Sequence, residues 1–403
     1  MTLELDEIFD SFDKNAIFKN KFILQTNYKP EGILHRSDQI KQVASILAPV
    51  LRGERTSNLF LYGKTGTGKT LSIQFVRDEL IKRMKKDSDF ELRIEYLNCK
   101  LKKISDTEYR ILAELIKKMG GSVPTTGLPT EAVYSRFVDL IDSKKQLVIL
   151  ILDEIDQTTK KISSDFLYNL SRLNSELSKT QICLVGISND LTFLDELDPR
   201  VRSSLSEEEI VFPPYNALQL QEILNERAKE AFKDGILQDG VVAKCAAFAA
   251  REHGDARRAL DLLRISGELS ERDGSSKILL KHIDEANSKI ERDKILDVIR
   301  TEPKQFQLVL KSIIQLAEIK KDEPFFTGDV YNCYQEECER NHCEILTQRR
   351  VGDIIQEFDM LGIINVRVIS KGRGGRMREI KLAIAKPIIE KAKEIIGQSL
   401  DYS

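Results

Sequence analysis

The sequence predicts an α/β base built on a parallel sheet, then a helical segment, then a small terminal domain of helices and a hairpin. Three observations carry that expectation. A glycine loop, GKTGTGKT (63–70), stands between a short apolar stretch and a helical one. An unbroken apolar run, LVILIL (147–152), later stops abruptly in carboxylates. Beyond Pro303, helical periodicity gives way to two alternating strands joined by a basic, glycine-rich turn.

The size and charge of the chain bound its class. Its 403 residues exceed one ordinary core, so two or three domains are expected. With 41% hydrophobic and 31% charged residues it reads as a soluble globular protein. A net charge of -2 exerts no global pull on nucleic acid or membrane, so any such binding must come from a local patch. No apolar run approaches the length of a membrane span, and the opening MTLELDEIFD is acidic, unlike a signal peptide. A cytoplasmic protein with no membrane partner is expected. Six cysteines are scattered without a C-x-x-C pair, as reduced residues would be. Cys333, Cys338, His342 and Cys343 cluster in a helical stretch, but their spacing matches no structural zinc pattern.

The base follows in chain order. SNLFLYG (57–63) reads as a buried strand, and KTLSIQFVRDELIKRM (69–84) as a helix with Ile73, Val76 and Leu80 on one face. Strand, loop and helix in that order make the loop a phosphate cradle. Backbone amides from Gly63, Lys64, Thr65, Gly66, Thr67 and Gly68 into the helix N-terminus at Leu71 would hold phosphates. Lys69 would neutralise the β- and γ-phosphates, and the Thr70 hydroxyl would ligate Mg²⁺. The run 147–156 reads as a strand buried on both faces of a parallel sheet, where ligands collect at strand carboxyl ends. There Asp153 would hold Mg²⁺ through water and Glu154 would polarise an attacking water. QICLVGIS (181–188) is a third strand. It ends at Asn189, an amide placed to feel the γ-phosphate and position water.

Past FPPYNALQL (212–220) the texture is wholly helical, giving two or three helices. Within them Gly254 and Asp255 of GDARRALD (254–261) start a helix that carries Arg257 and Arg258, the latter read as an ordinary surface charge. Pro303 marks a boundary near residue 300. Three helices then precede strands IINVRVIS (363–370) and REIKLAI (378–384), the plan of a winged helix. Arg349, Arg350, Arg367, Lys371, Arg373, Arg376, Arg378 and Lys381 crowd this end against only Asp353, Glu357, Asp359 and Glu379. DNA-binding residues are therefore expected at Arg349, Arg350, Lys371, Arg373, Arg376 and Arg378. The competing reading is a protein-binding winged helix with a solvated wing. A long connection at about 100–128, with a helical core at Tyr109, Leu112, Leu115 and Ile116, is a second anomaly. Its lysines Lys102, Lys103, Lys117 and Lys118 are compatible with DNA.

Taken in order, ILHRSDQI (33–40), GKTGTGKT, LILDEID, GISND, LDPRVRSSL, FPPYNA and GDARRALDLLR resemble the archaeal replication initiators. That family is related to the origin recognition complex subunits and the cell-division-control helicase loader. The resemblance covers nearly the whole chain and implies an AAA+ P-loop ATPase core with a helical lid and a C-terminal winged helix. It implies a base over 1–215 with the insertion helix at about 100–128, a lid over 216–295 and a winged helix over 300–398. ATP/ADP and Mg²⁺ are the implied cofactors, with His35, Arg36 and Tyr215 near the base or its supporting loop and Arg227 in the nucleotide-binding set. Asn189 takes the first sensor position, Arg257 the second, and Arg200 or Arg202 reaches a neighbouring subunit's nucleotide; two solvated charges are the alternative there. The implied partners are double-stranded origin DNA, the MCM helicase and other initiator subunits, with slow, switch-like hydrolysis near the nucleoid. The readings that compete with this are an ATP-regulated regulator at promoters, a paralogous origin binder that loads no helicase, and a clamp-loader-like remodelling ATPase.

Overall fold

The structure, a computed structural model, describes residues 16–84, 89–100, 107–124, 127–162, 165–205, 207–320, 323–370 and 376–401. The chain falls into two compact units, one ending at Ile283 and the other beginning at Asp284.

In the first unit the apolar run is β3 (Gln146–Asp153), every residue of which is buried. β1 (Asn58–Tyr62) is equally dry, and β4 (Thr180–Ser188) exposes only Gln181. With β2 (Glu91–Asn98) and β5 (Glu207–Val211) they form a parallel sheet in the order β2-β3-β4-β1-β5. Continuous apolarity is what burial on both faces demands, and alternate side chains divide between two cores. Val148, Leu150 and Leu152 pack with Phe60, Leu112 and Phe137 on one side. Leu147, Ile149 and Ile151 pack with Leu59, Val43 and Ile73 on the other. The layers are helix, sheet, helix. β5 was not foreseen: its residues Glu207, Glu208 and Glu209 are acidic, and only Ile210 of the strand is buried. An edge strand with one buried apolar residue carries almost no hydrophobic period.

Side chains seat the central strands. Asp142 accepts the amides of Ser178 (3.0 Å), Lys179 (2.7 Å) and Thr180 (2.9 Å), which fixes where β4 begins. Buried Asn58 donates to the Leu205 carbonyl (2.5 Å) and accepts the Leu184 amide (2.9 Å).

The helix Glu108–Lys118 occupies the anomalous connection. Thr107 caps it by accepting the Arg110 amide, and Ile111, Leu112, Leu115 and Ile116 are buried. Lys117 and Lys118 are exposed; Lys102 and Lys103 lie outside the described residues. After β5 come the helices Ala217–Ala231, Val241–Arg251 and Ala256–Arg272. Asn216 and Gln219 form a capping box on the first, and Asp255 caps the third. The charged stretch beyond them is one helix, Leu280–Thr301, which ends just before Pro303.

In the second unit the helices Lys304–Lys320, Thr327–Arg340 and Gln348–Met360 lead into β7 (Ile364–Ser370) and β8 (Arg376–Leu382), an antiparallel hairpin. Two further elements join them. The short β6 (Phe325–Phe326) pairs with β8, and the helix Lys386–Asp401 closes the chain. Phe306, Leu310, Ile313, Tyr334, Val351, Ile355, Phe358 and Ile380 form the core. Cys333 Sγ donates to Gln315 Oε1 (3.3 Å) and Cys338 is buried. No group of three or more metal-ligating side chains occurs among the described residues. Lys371 and Arg373, with the side chain of Arg376, lie outside the described residues.

Asn58→Ala is expected to strand a buried carbonyl and a buried amide, at a cost of about 2 kcal/mol. Urea unfolding would show a lower midpoint with an unchanged slope; an unchanged midpoint would mean the two groups find other partners.

Candidate active site

β1, β3 and β4 lie side by side, so their carboxyl ends bring Tyr62, Asp153 and Ser188 into one row. The glycine loop leaves β1 at that row and the helix Lys69–Arg83 begins there. A cavity of about 470 Å³ opens beside it. Thr65 through Leu71 line it, with Asp153, Glu154, Asn189, Tyr215, Arg227 and Arg257. The chain places these on six separate segments, and the fold brings them together.

Lys69 is nearly fully buried, and its Nζ donates to Gly63 O (2.6 Å), Lys64 O (2.8 Å) and Asn189 Oδ1 (2.9 Å). Burial lowers its pKa to about 8; the nearby Asp153 carboxylate opposes that shift and the Arg257 guanidinium adds to it. The Thr70 hydroxyl donates to Asp153 Oδ2 (2.8 Å), so the two candidate Mg²⁺ ligands are already in contact. Tyr96 Oη donates to the same oxygen (2.6 Å) from β2, and burial raises the phenol's pKa well above its usual range. The Glu154 amide donates to Asp153 Oδ1 (2.9 Å). Glu154 itself holds a left-handed backbone (φ 56, ψ 43), an uncommon conformation that persists only where surroundings enforce it. Its carboxylate lies 3.5 Å from Lys100 Nζ. Buried Asp156 accepts from Ser188 Oγ and the Asn189 amide, both at 3.3 Å, and so anchors the end of β4.

The loop fits a phosphate cradle on its own geometry. Gly66 and Gly68 have φ of +69 and +89, and a Cβ at Gly66 would fall 1.7 Å from Asp255 Oδ1. At Gly68 it would fall 2.9 Å from Tyr215 Oη. The lid helix is thus seated on the loop: Thr65 Oγ1 donates to Asp255 Oδ2 (3.3 Å) and the Ala256 amide to Gly66 O (3.3 Å). Asp255 also accepts the Arg257 amide (2.7 Å), which starts the helix that carries Arg257 into the cavity.

The remaining expected residues divide. Arg227 lines the cavity with its guanidinium 4.7 Å from the Tyr28 ring centroid. Arg36 and His35 do not line it. Arg36 sits behind the loop, donating to Thr67 O (2.7 Å), and His35 Nε2 lies 2.8 Å from Glu222 Oε2. Arg200 pairs with Asp198 (3.0 Å) and Arg202 with Asp195 (2.8 Å); neither lines the cavity, and Arg200 is 82% exposed at its side chain. Sequence reasoning missed Tyr28, Tyr96 and Asp156, and read Asp255 only as the start of its helix. Tyr28 belongs to a polar, aperiodic stretch, and Tyr96 and Asp156 matter only because β2, β3 and β4 are neighbours. Asp255 had a signal, as an N-cap residue before an arginine-bearing helix.

In the second unit Thr347 caps the helix Gln348–Met360 by accepting the Arg350 amide, and Arg349 and Arg350 are exposed in its first turn. Exposed Arg378 donates from β8 to Gly352 O (3.3 Å), tying the hairpin to that helix.

Comparison with known proteins agrees with this architecture. The AAA domain family matches residues 52–194, the Cdc6 AAA+ ATPase-type lid domain residues 221–288, and the CDC6 C terminal winged helix domain residues 297–392. The chain is 51% identical to the ORC1-type DNA replication protein of Thermococcus onnurineus over 385 residues, 94% of this chain and 92% of that one. It is 50% identical to the ORC1-type DNA replication protein 1 of Methanosarcina mazei over 382 residues, 94% and 91% of the two chains. The structure of the Aeropyrum pernix ORC1 protein in complex with DNA superposes with a TM-score of 0.82 at 42% identity, covering 96% of this chain and 98% of that one.

The depressed pKa of Lys69 has a measurable consequence. Above pH 8 the free amine loses its proton, whereas bound phosphate would hold it charged, so binding should take up a proton there. Nucleotide affinity is expected to be level below pH 8 and to fall by up to about tenfold per pH unit above it. Titration at pH 7, 8 and 9 checks this, and a level affinity across the range would contradict it.

Proposed function

The chain belongs to the family of ORC1-type DNA replication proteins, and on that premise we propose that it is an ATP-switched initiator that holds origin DNA and helps recruit the MCM helicase. The observation that supports it most is the convergence of Lys69, Thr70, Asp153, Glu154, Asn189 and Arg257 on one cavity between sheet and lid. The loop amides and Lys69 would bind the triphosphate, and Thr70, with Asp153 acting through water, would hold Mg²⁺; their oxygens are already hydrogen-bonded to each other. Bound there, the ion would supply positive charge against that of the phosphates. Glu154 orients the attacking water, and Asn189, which accepts from Lys69, keeps that amine over the loop. Arg257 reads the γ-phosphate from the lid, so nucleotide state biases the lid's angle. Arg200 is the residue proposed to act on a neighbouring subunit's nucleotide.

Support for DNA comes from the ORC1 relative whose structure is a complex with DNA, and from the exposed Arg349, Arg350 and Arg378 on a capped helix and hairpin. Such a helix start presents side chains to base edges and amides to phosphate. Lys371, Arg373 and Arg376 would add the wing's grip on the backbone or minor groove. Three layers of function follow on three parts of the chain: a nucleotide switch, a lid that reads it, and a DNA reader.

Lys69→Ala should abolish nucleotide binding, whereas Glu154→Gln should keep it and cut turnover by about 100-fold or more. Equilibrium binding and phosphate release measure the two, and full-rate hydrolysis by the Glu154 variant would sink the assignment. Replacing Arg349 and Arg350 by alanine should weaken binding to origin duplex and flatten its salt dependence by about one unit per charge removed. An unchanged salt slope would favour a winged helix that binds protein.

A further inference from the structure

Arg36 is the largest fully buried side chain among the described residues, 2% exposed, yet it is a permanent cation and lies outside the cavity. Such a charge is tolerated only where its nitrogens find acceptors. Its fork spans three main-chain carbonyls: Nε donates to Thr67 O (2.7 Å), one terminal nitrogen to His35 O (2.9 Å) and the other to Pro213 O (2.5 Å). The guanidinium also lies 3.7 Å from the Tyr215 ring centroid. His35 reaches its position in a left-handed conformation, φ 58, which costs energy for a residue with a Cβ.

These partners belong to different working parts. Thr67 is in the phosphate loop. Pro213 and Tyr215 lie in the short crossing from β5, which ends at Val211, to the lid helix that begins at Ala217. The crossing meets the lid on its other side, where the Tyr215 amide faces Gly254 O (3.4 Å). From Gly254 the chain passes to Asp255 and Ala256, which rest on Thr65 and Gly66. Loop, Arg36, crossing, lid and loop again form a closed ring of contacts. A displacement of the loop must then strain the Thr67 bond or carry the crossing with it. The planar fork favours the second, because its donors keep fixed mutual directions.

We propose that Arg36 is a positioning residue that couples the phosphate loop to the base-to-lid crossing, transmitting occupancy of the loop to the lid without touching nucleotide. This rests on the nucleotide-binding reading above. Arg36→Lys keeps a charge but supplies a single point donor, which cannot serve carbonyls in three directions.

The test compares hydrogen exchange of the full chain with and without ADP and Mg²⁺, in wild type and Arg36→Lys. In wild type, nucleotide should slow exchange in both 63–72 and 254–262. In the variant the loop should stay protected, with nucleotide affinity within about threefold, while the lid response falls by about tenfold or is lost. Two intact responses would overturn the coupling. Loss of both, with a cooperative thermal transition retained, would also overturn it and leave Arg36 as a support of the loop alone. Should Arg36→Lys fail to fold, Arg36→Gln, which keeps one planar donor group and drops the charge, is judged by the same two outcomes. A wild-type loop that gains no protection from nucleotide would remove the nucleotide reading and the coupling with it.

Discussion

The phosphate loop has no room for a side chain at Gly66, because the first turn of a lid helix rests on it, and the rest of the site follows from that contact. Asp255 would overlap any Cβ there, while its carboxylate caps the helix that carries Arg257. One residue therefore both limits the loop and aims the lid arginine. The seating joins the sheet's loop to the lid helix through the bonds of Thr65 and Gly66 to Asp255 and Ala256.

Electrostatics supplies the second layer. Two cations, Lys69 and Arg36, are buried on either side of the loop, and carbonyl oxygens take most of their hydrogen bonds. Burial lowers the pKa of both. Opposite them, Asp153 receives hydroxyl donors from Thr70 and Tyr96 and the amide of Glu154. A carboxylate so fully engaged is held in one orientation, which suits a metal ligand. The sheet creates this arrangement by aligning strand ends that are far apart in sequence.

Much of the fold was legible because its strongest signals are local. The runs that became β1, β3 and β4 are unbroken apolar strands of a doubly covered sheet, and the loop between β1 and its helix has a fixed spacing. The winged domain announced itself through alternation in β7 and β8 and a glycine-rich turn. What escaped was weakly periodic or remote. β5 is nearly all acid at its start, β6 is two residues long, and Tyr28 lies in a stretch without pattern. Their positions are decided by what they pair with, as Phe325 pairs with Ile380 and Asn58 with Glu207.

The sequence by itself determined the chemistry available: a glycine loop with Lys69 and Thr70, carboxylates at Asp153 and Glu154, an amide at Asn189 and an arginine at 257. Those identities follow from spacing along the chain, and each names a type of group rather than a place. Only the tertiary structure decided which groups meet. It set Tyr96 on Asp153, Asp255 on the loop, and Arg36 behind the loop rather than in the cavity. Such meetings depend on strand order and on the packing of the lid, which join segments separated by tens to hundreds of residues, and no local pattern encodes them.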